Sequence, residues 1–70
     1  MLEQMYVMEQ LNNFLGRRGL MGKYVAAQVG ISEPQFYAFK TGHRLLTKSQ
    51  LQRLTDFMSD YDRRLNGMER

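Results

Sequence analysis

Apolar residues fall into four stretches of helical spacing along the chain, and the period-2 alternation of a half-buried strand is absent. In the first stretch, about Leu2 to Leu15, the residues Val7, Leu11, Phe14 and Leu15 share one face at i, i+4, i+7 and i+8. Gly16 and Gly19 are expected to end it, with Arg17 and Arg18 near the negative end of the helix dipole. Leu2, Met5 and Tyr6 form a stripe on the opposite face, which an isolated helix should not have; it requires more core or a partner chain. The second stretch, about Gly22 to Val29, buries Val25, Ala26 and Val29, and Gly30 stops it.

The third stretch opens with Ser32-Glu33-Pro34-Gln35, a serine cap with glutamine three residues on, which predicts a capping box. Phe36 and Phe39 then face inward, leaving Glu33, Gln35, Tyr37, Ala38 and Lys40 toward solvent, and Gly42 closes the segment. Thr47-Lys48-Ser49-Gln50 is a second capping box opening the fourth stretch, where Leu51, Leu54, Phe57, Met58, Tyr61 and Leu65 repeat at helical spacing. Ser59 is placed to cap a separate short last helix, so four or five helices are expected. No linker or low-complexity stretch interrupts them. The expectation is an all-α bundle forming one domain over residues 1–70.

Composition removes several classes of function. A chain of 70 residues is near the lower limit for a self-sufficient core and leaves little room for a pocket enzyme. No cysteine and one histidine, His43, leave no disulfide framework, thiolate cluster or histidine-rich zinc site. Asp56, Asp60 and Asp62 lack the spacing and glycine of a calcium loop and read as a solvated face. No nucleophile–base pairing, phosphate loop or carboxylate dyad stands out, so neither an enzyme nor a cofactor is expected. No apolar run approaches the ~20 residues of a membrane helix. The first residues lack the basic and apolar regions of a secretory signal, and a cytoplasmic location is expected.

Charge changes the picture more by place than by total. The net charge is +3, but residues 17–53 hold seven lysines and arginines against Glu33 alone. A small domain with such a segment suits a polyanion, nucleic acid first.

The spacing from residue 22 onward is more specific. Small Ala26, apolar Val25 and Val29, Gly30, apolar Ile31, then Phe36 and Phe39 are what two short helices need to cross steeply and close together. With the lead-in Arg18-Gly19-Leu20, Gly42 twelve residues after Gly30, basic His43-Arg44 and the capped segment at Thr47, the chain over about residues 7–58 resembles the Cro- and repressor-type (XRE-like) helix-turn-helix proteins of phages. The resemblance implies a lambda-repressor-like bundle whose third helix enters the DNA major groove. Three departures stand out. Leu15 and Lys40 occupy positions that often carry an arginine–glutamate pair, Leu45-Leu46 replaces a frequent proline, and the chain starts earlier than a minimal member.

On that resemblance the expected activity is sequence-specific binding of double-stranded DNA by a transcriptional regulator, in the manner of a repressor. Glu33, Gln35, Tyr37 and Ala38 are the expected base-contacting residues. Gln35 suits a bidentate pair with adenine, Ala38 a thymine methyl, and Tyr37 a base or phosphate. Glu33 can accept from cytosine N4 but has an equal claim as a charge offsetting the helix dipole. Lys23, Ser32, Lys40, Thr41, His43 and Arg44 are the expected phosphate contacts. A homodimer on two half-sites is expected, paired through the Leu2/Met5/Tyr6 stripe or, preferably, the run from Phe57 to Leu65. The alternative is a protein-interaction module on the same scaffold, such as an antirepressor or antitoxin-like partner, which acidic Glu33 and aromatic Tyr37 would favour.

Overall fold

The computed structural model describes residues 2–68, with side-chain surroundings for residues 3–65. Among the described residues there are four helices and no strand: α1 (Leu2–Arg18), α2 (Gly22–Val29), α3 (Glu33–Lys40) and α4 (Lys48–Met68). No described helix is long and apolar enough to cross a membrane.

The core is the set of inward positions from all four helices. Leu11, Phe14, Val25, Ala26, Phe36, Phe39 and Leu54 are almost wholly out of solvent, with Val7, Leu15, Val29, Ile31, Leu46, Leu51 and Met58 around them. No polar or charged side chain is buried among the described residues, so hydrophobic burial and close packing hold the bundle together. Phe14 ties α1 to α4, meeting Phe57 edge-on at 6.2 Å and Tyr61 at 5.4 Å. The apolar run from Phe57 to Leu65, preferred above as a dimer surface, is therefore largely spent on the chain's own core: Phe57 and Tyr61 are half-buried and Met58 is buried.

The α2–α3 turn is built on Gly30. Its backbone is left-handed, with φ 72° and ψ 34°. That lets Ile31 N–H reach Ala26 O at 3.0 Å and Gly30 N–H reach Ala27 O at 3.4 Å, so the last carbonyls of α2 are satisfied in a Schellman motif. Ile31 then drops into the core. Gly42 (φ 83°) repeats the device after α3, with His43 N–H on Ala38 O at 2.7 Å and Gly42 N–H on Phe39 O at 3.0 Å.

Three local expectations are corrected. First, α1 does not end at Leu15 but runs through Gly16 to Arg18. A glycine inside a helix costs only about 1 kcal/mol, and the added turn is anchored. Arg18 donates to Asp62 of α4 through Nε at 3.0 Å and Nη2 at 2.7 Å, and Arg17 adds a bond at 3.1 Å. Second, Ser59 caps no fifth helix. The apolar repeat of α4 passes through it unbroken, giving one rod of 21 residues. Third, the Ser32 box does not form. Ser32 occupies the cap position with extended backbone, but its hydroxyl makes no capping bond and Gln35 turns elsewhere. The second box does form: Thr47 N–H donates to Gln50 Oε1 at 2.9 Å and Gln50 N–H to Thr47 Oγ1 at 3.1 Å.

Candidate nucleic-acid interface

α3 is held by one side. Phe36 and Phe39 anchor it in the core, and it comes close to α2 at Gly22. A Cβ on Gly22 would lie 3.1 Å from the Phe36 ring and 3.3 Å from Cε1 and the hydroxyl of Tyr37. Glycine at the first position of α2 therefore makes room for two aromatic rings of α3, a requirement that the sequence pattern assigned to Ala26 alone. Ala26 is fully buried as expected. Tyr37 stands edge-on to Phe36 at 5.9 Å, which fixes its direction while leaving it 43% exposed.

The expected base-contacting residues are differently placed. Glu33 and Tyr37 are exposed on α3, and Ala38 is half-buried beside them. Gln35 is half-buried, and its amide is paired with that of Gln50, at 2.9 and 3.3 Å. Gln50 has no counterpart in the sequence reading beyond its capping role. A contact 15 residues away leaves no local trace.

Six residues were expected at phosphate. Lys23 is exposed at the second position of α2, and Ser32 is exposed before α3. Lys40 is half-buried at the end of α3, where its carbonyl accepts from Asn12 Nδ2 at 3.1 Å. Thr41, His43 and Arg44 are exposed in the loop that follows. Thr41 Oγ1 lies 2.9 Å from Tyr37 O and 2.9 Å from His43 Nδ1.

The charge pattern separates into two groups. Arg17 and Arg18 share Asp62. Among the described residues Lys23, Lys40, Arg44, Lys48 and Arg53 make no salt bridge, and neither does Glu33. Lys40 and Tyr37 line one open depression with Asn12, Gly16, Met21 and Gly22, joining the end of α3 to the start of α2. No group of three or more His, Cys, Asp or Glu side chains among the described residues is arranged to hold a metal ion.

Searches against protein-family models, curated proteins and solved structures return no match for this chain.

The other apolar stripe of α1 is exposed. Met5 is 62% and Tyr6 64% accessible, while Leu2, its third expected member, lies outside the described side chains. In the loop, buried Leu46 and exposed Leu45 stand where the family resemblance would place a proline.

Proposed function

We propose that the chain binds double-stranded DNA sequence-specifically and regulates transcription, with α2 and α3 acting as a helix-turn-helix and α3 lying in the major groove. One observation carries the reading. α3 is packed on α2 at Gly22, Glu33 is exposed on it and Tyr37 remains 43% exposed at the edge shared with α2, and among the described residues Lys23, Lys40 and Arg44 at its flanks make no salt bridge. A rod held on one side, flanked by uncommitted cations, suits a groove lined on both edges by phosphate. Lys23 would meet one strand, and Lys40, Thr41, His43 and Arg44 the other. Two copies pairing through Met5 and Tyr6 would place two such rods on successive half-sites, since the Phe57–Leu65 run is occupied within the chain.

The test is selection of bound sequences from random duplexes, followed by salt titration on the enriched site. Log affinity should fall linearly with log salt concentration as phosphate counterions are released. A salt-independent response, or no enrichment, overturns the reading. A second reading has its own support: exposed Met21 and Tyr37 line one depression and acidic Glu33 is exposed on the same helix as Tyr37, features suited to a protein partner. In that case the chain would be an antirepressor- or antitoxin-like module, and duplex retention would be absent even at low salt.

A further inference from the structure

Gln35 of α3 and Gln50 of α4 form a closed amide pair. Gln35 Nε2 donates to Gln50 Oε1 at 2.9 Å, and Gln50 Nε2 donates back to Gln35 Oε1 at 3.3 Å. In such a ring each amide spends the edge on which its oxygen and one N–H point the same way. That is the edge with which a single glutamine grips N6–H and N7 of adenine. Paired in this way, Gln35 cannot grip adenine alone.

The capping box fixes which atom is which. Thr47 N–H can only donate, so the Gln50 atom that it meets at 2.9 Å is oxygen. The Gln35 atom opposite that oxygen must then be nitrogen. Thr47 N–H also occupies the outer side of Gln50 Oε1, which closes one flank of the pair. On the other flank, the second N–H of Gln50 lies beside the free lone pair of Gln35 Oε1. These two atoms are 3.3 Å apart, neither has another partner among the described residues, and both side chains are only half-buried.

We propose that this flank is a composite reading edge in which Gln35 Oε1 accepts from adenine N6–H while Gln50 Nε2 donates to adenine N7. The proposal rests on the DNA-binding reading and adds a base-contacting residue from outside α3. One donor beside one acceptor complements adenine in the major groove. Guanine offers two acceptors there, so its O6 would oppose Gln35 Oε1. A bidentate contact of this kind corresponds to roughly 5- to 150-fold preference for adenine at one position.

Three proteins and one altered base test it. Random-duplex selection is run with the unaltered chain, Gln35→Ala and Gln50→Glu. Glutamate keeps an acceptor for Thr47 N–H, as in a serine/threonine–glutamate capping box, but removes the Nε2 donor. Both variants should lose adenine preference at the same single position, with the Gln50→Glu melting temperature near that of the unaltered chain. Independently of any effect on folding, 7-deazaadenine at that position removes N7. It should weaken binding of the unaltered chain by the same factor and leave Gln50→Glu unaffected. Retained adenine preference in Gln50→Glu, loss at two different positions, or indifference to 7-deazaadenine overturns the composite edge while leaving DNA binding intact. Failure of the unaltered chain to enrich any duplex overturns the DNA-binding reading itself.

Discussion

The side-chain amide of Gln4 satisfies both backbone groups of Leu46, 42 residues away: Gln4 Nε2 donates to Leu46 O at 2.9 Å, and Leu46 N–H donates to Gln4 Oε1 at 3.0 Å. The first turn of α1 thus supplies the partner that a strand would otherwise give, and it pins the loop after α3 with Leu46 in the core and Leu45 out. Gln4→Ala leaves two part-buried backbone groups without their partner. The expected cost is about 1–3 kcal/mol in chemical denaturation, with faster amide exchange at Leu46. Unchanged exchange at Leu46 would show that the loop holds itself.

Gly30 and Gly22 should fail on substitution for opposite reasons. At Gly30 there is room, the nearest atom to an added Cβ being Arg53 Nη1 at 3.9 Å, but φ is 72°. Gly30→Ala should cost about 1–2 kcal/mol, and Gly30→Asn less, because asparagine tolerates the left-handed region. Gly22 has no such φ, and Gly22→Ala is opposed by the Phe36 and Tyr37 rings instead. Its expected cost is about 1 kcal/mol from overpacking, with a shift in the Tyr37 ring signals by NMR. Equal costs for alanine and asparagine at position 30 would argue against backbone strain as the cause.

Asp62 is the shared partner of Arg17 and Arg18, and all three are partly open to solvent. Asp62→Asn should lower stability by only ~1 kcal/mol, less at high salt, since exposed ion pairs are screened. The more telling readout is local: amide protection over residues 16–18 should fall, because that last turn of α1 follows a glycine and depends on the tie to α4. Protection that persists would assign the turn to intrinsic helix propensity.

Arg44, exposed and making no salt bridge among the described residues, is expected to act on DNA through phosphate. Arg44→Ala should weaken binding to all duplexes about equally and reduce the salt slope by about one. Loss confined to one sequence would place Arg44 at a base instead.

What the residue pattern made legible was local. The Gly22–Val29 helix, the Gly30 turn and the Thr47–Gln50 box depend on neighbours within five residues, and all appear as read. Ser32-Glu33-Pro34-Gln35 has the same grammar as Thr47-Lys48-Ser49-Gln50, yet only the second closes. Gln35 spends its amide on Gln50 of α4, while Gln50 makes that pair and its own capping bonds together. The end of α1 was misread for a similar reason: Gly16 signals a stop, and the counterweight, Asp62, is 46 positions downstream. In the candidate interface, exposure of Glu33 and Tyr37 followed from helical phase, whereas the partners of Gln35 and the role of Gly22 arise only when α3 meets α4 and α2.

The chain has no tryptophan and four tyrosines, two of which share the ring of Phe57 as a neighbour. Tyr61 lies against Phe14 and Phe57 in the bundle, Tyr24 meets the same Phe57, Tyr37 stands partly exposed at the edge between α3 and α2, and Tyr6 is on the free side of α1. Near-ultraviolet emission from this protein is therefore a sum over three settings, the Phe57 cluster holding two of the four reporters. Single Tyr→Phe replacements would unmix them, so that unfolding, ligand docking and self-association could each be followed in unlabelled protein by its own chromophore.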